Sequence, residues 1–208
     1  MISANPQTAD DNDLSRILAL SDGVFAFALT LLVTSFFVPT DLSLDQVPAV
    51  VFEQLPTLTS YVTSFVVIGG FWYSHHQKFR YIIRYNSVFL WLNLLILMTI
   101  AFLPFSTDFV GEYSRSAFAV IFYNLSLIVA SLSFSLLWIY ATKSRKLVRK
   151  DLPSNVVLSG FLISFSIAIV FGVSTLLALV NVNLGRASWL LAFVVPFLTR
   201  VWFAKSFL

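Results

Sequence analysis

The chain contains six separate apolar stretches that approach or exceed the length needed to cross a lipid bilayer. A membrane-spanning helix needs about 20 mostly apolar residues, because it rises only about 1.5 Å per residue. Of the 208 residues, 58% are hydrophobic and 11% are charged, which is about half the charged fraction of a soluble domain. We therefore predict an all-α membrane protein with six transmembrane helices, over residues 16–38, 55–74, 88–109, 117–140, 156–180 and 187–203.

The basic residues predict the orientation of these helices. Eleven of the thirteen Lys and Arg residues lie on one side of the predicted bundle, whereas Arg115 and Arg186 lie on the other. Short loops rich in Lys and Arg stay in the cytoplasm, so both termini are expected to be cytoplasmic. The connectors on the opposite side are acidic and contain Asp41, Asp45, Glu53, Asp108 and Glu112.

The N-terminal segment 1–15, "MISANPQTADDNDLS", is polar and acidic. It lacks the basic start of a cleaved signal peptide, so we interpret it as a cytoplasmic tail in front of a retained first span. The whole chain, 1–208, is then one six-helix domain. Because it has no cysteine, disulfides and thiolate metal sites are excluded. The net charge of +3 does not indicate a nucleic-acid partner.

The first helix carries polar groups that lipid does not accept without partners. Its opening, "RILALSDGVF", places Ser21 and Asp22 just inside an apolar span, where a charge costs a few kcal/mol or more unless it is paired. At about 100° per residue these two side chains lie on one face and Phe27 lies on the other. The face centred on Phe27 also contains Arg16, Leu20, Gly23, Val24, Thr30, Leu31 and Thr34.

The second and third helices offer partners at the same depth. The second helix ends in "GGFWYSHHQKF" and the third begins with "SVFLWLN", so an antiparallel arrangement brings imidazole, indole and amide groups level with the carboxylate. Such donors can satisfy a buried carboxylate in a membrane. The predicted buried network comprises Arg16, Ser21, Asp22, Trp72, His75, His76 and Asn93.

Three interpretations of this network remain open at this stage. It can lock the helices together without any further role. It can gate the protein or sense protons, because histidine titrates near neutral pH. A metal site is the third and is disfavoured: adjacent histidines on a helix point about 100° apart, and only one carboxylate is near.

The first half of the chain carries several motifs in a definite order. They are "R…LSDGVFAFALTLLV", then "SYVTSFVVIGGFWYSHHQKF", then "LNLLILMTIAFLPFSTDF". Together they resemble the transmembrane protein 175 potassium channel family in its prokaryotic single-repeat form. The family's arginine and phenylalanine-serine-aspartate stand here as Arg16 and "LSD", so that a leucine replaces the aromatic residue. The tryptophan, histidine, asparagine and proline-phenylalanine positions match Trp72, His75, His76, Asn93, Pro104 and Phe105.

The resemblance implies a cation channel assembled as a homotetramer, with the first helix of each subunit lining a central pore. In that family a ring of isoleucine or leucine on this helix forms the constriction, and a threonine follows one turn later. Phe27 stands at the usual constriction position here and Thr30 at the threonine. Leu31 and Thr34 lie one and two turns beyond Phe27. Whether Phe27 or Leu31 forms the narrowest ring stays open.

The sequence itself agrees with a constriction of this kind. It contains no "TVGYG" carbonyl filter and no acidic ring at mid-span. A narrow apolar ring forces ions to shed part of their hydration shell, which favours potassium modestly over sodium. We therefore predict a potassium-permeable channel that passes sodium more weakly and uses no cofactor. Its partners are its own copies, the lipid bilayer and monovalent cations, in a prokaryotic plasma membrane.

Two other functional classes compete with a channel. A proton- or cation-coupled secondary transporter is the alternative, although such proteins usually have broken helices around a midplane site. Gly69-Gly70 is the only marked break candidate, and no ionisable residue lies at mid-depth. A membrane-embedded enzyme is disfavoured, because the chain lacks a nucleophile motif and a phosphate-binding glycine loop.

Overall fold

The computed structural model describes residues 6–37, 39–40, 43–143 and 147–205, which form a bundle of α-helices. The elements are α1 (Pro6–Leu31), a 3₁₀ turn (Leu32–Ser35), α2 (Val47–Glu53), α3 (Leu55–Phe79), α4 (Ser87–Glu112), α5 (Ala117–Lys143), α6 (Ser154–Val180), α7 (Val182–Ala187), a second 3₁₀ turn (Ser188–Leu190) and α8 (Leu191–Lys205). Within the described residues, five helices are long and apolar enough to cross a membrane: α1, α3, α4, α5 and α6.

Proline and asparagine residues mark several helix starts. Pro48 and Pro56 lie in the first turns of α2 and α3, where the missing N–H would have no helical partner in any case. The Asn86 side chain accepts a hydrogen bond from the Phe89 N–H at 2.9 Å and caps α4. Asn181 caps α7 in the same way. These caps satisfy backbone donors that a helix start leaves unpaired.

The first helix begins earlier than the apolar pattern predicts. It starts at Pro6 instead of residue 16, so most of the segment predicted as a polar tail is helical. Proline fits the first turn of a helix, because its missing N–H would have no helical partner there. The α-helix ends at Leu31 and continues as a 3₁₀ turn to Ser35, and the predicted end at residue 38 lies outside the described residues.

The region of the predicted sixth span, 187–203, contains a change of helix type. Ala187, Ser188 and Leu191 all have right-handed helical backbone angles, so the helical path continues from Val182 to Lys205 through one 3₁₀ turn. The Ser188 hydroxyl donates to the Gly185 carbonyl at 2.6 Å, which stabilises this tighter turn. Neither α7 nor α8 is long enough to count among the five spanning helices, so the sixth span stays a prediction.

The helices pack in an order that leaves α1 at one side. α5 lies between α4 and α6 in the middle of the bundle, and α3 packs against α4. α1 and its 3₁₀ turn pack against α3 and α4. The largest buried side chains include Tyr123, Phe134 and Trp138, all on α5. The core of the chain therefore surrounds α5, and α1 covers one edge of it.

A short backbone bridge joins the two connectors at the end of the bundle that contains the C-terminus of α3. Ile82 and Val148 form an isolated antiparallel β-bridge. The Ile83 N–H donates to the Leu147 carbonyl at 2.8 Å, and the Arg149 N–H donates to the Tyr81 carbonyl at 3.0 Å. This bridge fixes the last turn of α3 relative to the segment that leads into α6.

Candidate pore helix and buried polar chain

One face of α1 is closed by the rest of the chain. Ser21, Phe25, Ala28 and Leu32 follow a helical spacing, and each is no more than 1% exposed. They pack toward α3 and α4, the two long helices that contact α1. This is the face on which sequence spacing places Ser21 and Asp22, so α1 presents the predicted side to the bundle.

The opposite face of α1 is open. The Phe27 side chain is 64% exposed, and Thr30 and Thr34 are exposed on the same side, whereas Leu31 is partly buried. The Thr30 hydroxyl donates to the Phe27 carbonyl at 2.9 Å, and the Thr34 hydroxyl donates to the Leu31 carbonyl at 2.7 Å. Since its proton is used by the helix backbone, each hydroxyl turns acceptor lone pairs outward. The open face thus presents the apolar side chain of Phe27 beside the acceptor oxygens of Thr30 and Thr34.

A chain of three buried side chains joins α1, α4 and α3. The Asn93 amide donates to the Ser21 hydroxyl at 3.1 Å, and the Ser21 hydroxyl donates to the Ile17 carbonyl at 2.9 Å. The Asn93 carbonyl oxygen accepts from His75 Nε2 at 2.9 Å. Ser21, His75 and Asn93 are each at most 2% exposed. These hydrogen bonds link α1 to α4 and α4 to α3, so the three helices are held at one depth and one rotation.

Aromatic rings enclose the histidine of this chain. His75 stacks on Phe79 with ring centroids 4.2 Å apart, and the rings of Phe25 and Phe134 lie 5.7 and 6.1 Å away. Because the hydrogen bond to Asn93 places the proton on Nε2, the ring is the tautomer that has a bare Nδ1. That Nδ1 atom is buried and has no hydrogen-bond partner among the described residues. The imidazole is therefore fixed by one polar contact and by the surrounding rings.

Asp22 belongs to a second, more exposed contact. The Trp72 indole N–H donates to the Asp22 carboxylate at 2.9 Å, although 40% of Trp72 is exposed. His76 is exposed and stacks on Trp72 with ring centroids 5.9 Å apart. Neighbouring residues of a helix point about 100° apart, which explains why His75 is buried and His76 is not.

Arg16 also lies outside the buried chain. It is exposed and borders a surface groove with Leu20, Tyr85 and Leu90. It therefore shares the open face of α1, as helical spacing places it. The structure thus divides the predicted network into a buried chain (Ser21, Asn93 and His75), a rim pair (Asp22 and Trp72), and two exposed side chains at its edge, Arg16 and His76.

Several polar residues in the bundle were not singled out from the sequence. The Ser64 hydroxyl contacts the Thr107 hydroxyl at 2.7 Å and the Tyr123 hydroxyl at 2.9 Å, which links α3, α4 and α5. Lys78 is buried at the end of α3 and donates to Ser164 on α6. The available signal for Lys78 was its position three residues after His75, which puts both on neighbouring parts of one helix face.

The described residues do not form a metal centre. Among them, no three His, Asp or Glu side chains come close enough together to hold a metal ion. The polar groups of the chain instead pair with one another along the helix contacts. Their arrangement positions helices, and the open face of α1 is the surface on which an ion path can be built.

Comparisons with known proteins identify the family to which this chain is similar. A family model described as the endosomal/lysosomal potassium channel TMEM175 matches residues 16–104. A potassium channel of Streptomyces collinus is 38% identical over 149 residues, which cover 69% of this chain and 72% of that protein. The chain belongs to the TMEM175 family. A potassium channel of Chamaesiphon minutus is 32% identical over 152 residues, or 68% of this chain and 72% of the relative.

The TMEM175 fold extends beyond the segment with the motifs. A crystal structure of a lysosomal potassium-selective channel TMEM175 homologue from Chamaesiphon minutus superimposes with a TM-score of 0.77 at 26% identity. The match covers 92% of this chain and 98% of that one. The resemblance drawn from the motifs is confirmed. The family is one of ion channels and not of enzymes, and the chain is a multi-pass integral membrane protein.

Proposed function

We propose that this chain is the subunit of a potassium-permeable channel whose constriction is an apolar ring on α1. The relatives named above are potassium channels, and their bacterial sources agree with a prokaryotic plasma membrane. The observation that carries the proposal is the open face of α1, where Phe27 is 64% exposed although it lies in a spanning helix. A face built for the interior of one chain would be covered by that chain.

The open face fits an ion path better than a lipid contact. The Thr30 and Thr34 hydroxyls donate to the helix backbone and keep acceptor lone pairs beside Phe27, which water or a cation can use and lipid cannot. A homotetramer would give the open face of α1 a place away from lipid, because a fourfold axis lets each subunit contribute one α1 to a common pore. Closed symmetry of this kind is the usual arrangement of identical subunits.

Selectivity then follows from partial dehydration. Rings of four Phe27 and four Leu31 side chains would narrow the pore without offering ligands, so an ion must give up part of its water shell to pass. Potassium holds that shell less tightly than sodium and passes more easily, while sodium permeates more weakly. The threonine oxygens at Thr30 and Thr34 offer compensating acceptors next to each ring.

The topology has six spans and two cytoplasmic termini. The sixth span is residues 187–203, which lie within the helical path from Val182 to Lys205. The basic connectors, which include Arg84, Arg149 and Lys150, face the cytoplasm by the positive-inside rule. Residues 1–208 then form a single domain, which is one channel subunit.

The outer connectors favour cation entry. Asp45 is exposed in a turn, and a hydrogen bond from Ser43 lowers the pKa of its carboxyl, so it is charged at neutral pH. Glu53 lies in the same region at the end of α2, whereas Asp41 lies outside the described residues. Carboxylates at a pore entrance raise the local cation concentration, and salt screens the effect.

The buried chain has a positioning role in this proposal. Ser21, Asn93 and His75 hold the closed face of α1 against α3 and α4, and that contact sets which residues face the axis. The rim pair of Asp22 and Trp72 secures the same helix at its cytoplasmic end. A transporter is less well supported, because Gly69 and Gly70 lie within an unbroken α3.

The decisive experiment compares two exposed phenylalanines in reconstituted protein. Phe27→Ala should lower the potassium-to-sodium permeability ratio, since a wider ring demands less dehydration. Phe118→Ala is the matched control, because Phe118 is 67% exposed on α5, away from the proposed pore. Reversal potentials in planar bilayers give the ratio, and discrete current steps separate a channel from saturable transport. Pore lining by this face is wrong if Phe27→Ala and Leu31→Ala both leave the ratio unchanged.

A further inference from the structure

A lysine is buried at the inner end of α3 beside groups that do not neutralise it. Lys78 is 7% exposed, and its Nζ donates to the Ser164 hydroxyl. The rings of Phe134 and Trp138 lie 5.9 and 5.6 Å from Nζ. No carboxylate forms an ion pair with Lys78 in the part of the chain that the structure describes. Burying an ammonium group without a counter-charge is costly, so an anion bound here would stabilise the charged form of Lys78.

A polar cavity lies next to this ammonium group. It has a volume of about 220 Å³ and is bordered by α3, α5, α6 and the connector after α3. Trp138 forms one wall and is fixed there, because its indole N–H donates to the Val157 carbonyl at 2.8 Å. The polar side chains that line the cavity are Tyr73, Ser74, Gln77, Lys78, Tyr81 and Ser159.

A second, mostly apolar cavity adjoins the polar one. It has a volume of about 230 Å³, and it shares Ser74 and Ile163 with the polar cavity. Its walls come from α3, α6 and the start of α8, and they include Val67, Phe71, Ile167 and Phe193. The two cavities together therefore have a cationic, hydrogen-bonding end and an apolar end, which matches the polar headgroup and apolar tail of an amphiphile.

We propose that these two cavities bind an anionic phospholipid of the cytoplasmic leaflet. Its phosphate lies at the Lys78 ammonium group among the polar side chains, and one acyl chain lies in the apolar cavity. The bound phosphate supplies the counter-charge that the chain itself does not provide. Anionic lipids concentrate in the cytoplasmic leaflet beside basic connectors. The proposal depends on the membrane orientation given above and not on the ion path.

The first test removes the charge. Purified protein in neutral detergent is titrated with dioleoyl phosphatidylglycerol, with dioleoyl glycerol, which has the same acyl chains but no phosphate, or with inorganic phosphate, and retained lipid is counted by native mass spectrometry alongside thermal unfolding. Phosphatidylglycerol should bind roughly tenfold more tightly than dioleoyl glycerol, the discrimination typical of one charge-assisted contact. Lys78→Met should abolish that preference, and Lys78→Arg should keep it. Lys150→Met removes an exposed charge from the nearby connector and should leave it intact.

The second test fills the apolar end. Gly70 lines the apolar cavity, and a Cβ placed there meets no atom within 4 Å, so Gly70→Leu should block the acyl chain without disturbing the backbone. Gly172 on α6 has equally open space and does not line either cavity, which makes Gly172→Leu the control. Equal stabilisation by inorganic phosphate would overturn the lipid assignment. Unchanged phosphatidylglycerol preference in either Lys78→Met or Gly70→Leu would overturn it as well.

Discussion

α1 and α5 are both spanning helices, but the chain covers them to very different extents. In the most apolar window of each helix, 22% of the α1 residues and 56% of the α5 residues are buried. α5 contributes Tyr123, Phe134 and Trp138 to the core. α1 contributes one closed face and leaves the other open. Contacts within the chain therefore account for most of the burial of α5. The described residues leave one face of α1 uncovered, so that face contacts something outside the chain.

Close packing and backbone-directed hydrogen bonds hold α5 against α6. A Cβ on Gly160 would lie 2.7 Å from the Trp138 indole nitrogen, so only glycine admits that ring. The Ser131 hydroxyl donates to the Ser164 carbonyl and accepts from the Ala168 N–H at 3.0 Å. Small residues and polar contacts drive helix association in lipid, where burial of apolar surface contributes little. α1 shows such contacts on one face only.

The largest effect is expected where α5 is most enclosed. Trp138→Ala removes a side chain that is 2% exposed and its hydrogen bond to α6, so it should cost about 3–5 kcal/mol of unfolding free energy. Trp91→Ala is the control, since Trp91 is 72% exposed on α4, and it should change stability by less than about 0.5 kcal/mol. Unfolding in mixed micelles measures both values. Similar losses for the two variants would contradict the contrast in burial.

The next effect tests the closed face of α1. Asn93→Ala leaves the His75 Nε2–H and the Ser21 hydroxyl short of a partner, which should cost about 1–3 kcal/mol. The exposed Asn183 supplies the control, Asn183→Ala. Because the buried chain sets the rotation of α1, Asn93→Ala should also change conductance in single-channel recordings. A stability loss with normal conductance would restrict these residues to a structural role.

Much of the fold could be predicted because lipid forces the backbone of each span into a helix. Four predicted spans, from 55–74 to 156–180, lie within α3 to α6 and differ only at their ends. The early start of α1 was missed because "ADDND" has no apolar pattern. The 3₁₀ turn at Ser188–Leu190 was missed because an apolar pattern shows where a span lies and not which type of helix forms it.

The sequence predicts the depth of the candidate-site residues along their helices, but it does not predict how each helix is rotated about its axis. In the structure, Asn93 on α4 and His75 on α3 lie level with Ser21 on α1. Which of two adjacent histidines turns inward depends on how α3 is rotated, and contacts with other helices, such as those of His75 with Asn93 and Phe25, decide it. The role of Lys78 was hidden because a lysine at a span end also fits the positive-inside rule. The face of α1 that meets the proposed pore remains a prediction.

A smaller effect is expected at the rim pair. Asp22→Asn keeps an oxygen that can accept from the Trp72 indole, so subunit stability should fall by less than about 1 kcal/mol. If the pair is structural, the tetramer fraction should decrease in size-exclusion chromatography with light scattering. Trp72→Phe removes this hydrogen bond altogether and should lower the tetramer fraction at least as much. Normal assembly with a shifted pH dependence of conductance would indicate gating instead.

The smallest effect on folding is expected at the open face of α1, where the effect on permeation should be largest. Phe27 is 64% exposed, so Phe27→Ala should change the unfolding free energy of the separated subunit by less than about 0.5 kcal/mol. The same substitution should widen the proposed ring and lower potassium selectivity. Unfolding of dissociated subunits and reversal potentials of the assembled protein measure the two quantities. A large stability loss with unchanged selectivity would mean that Phe27 packs within its own chain, and the contrast between α1 and α5 would fail.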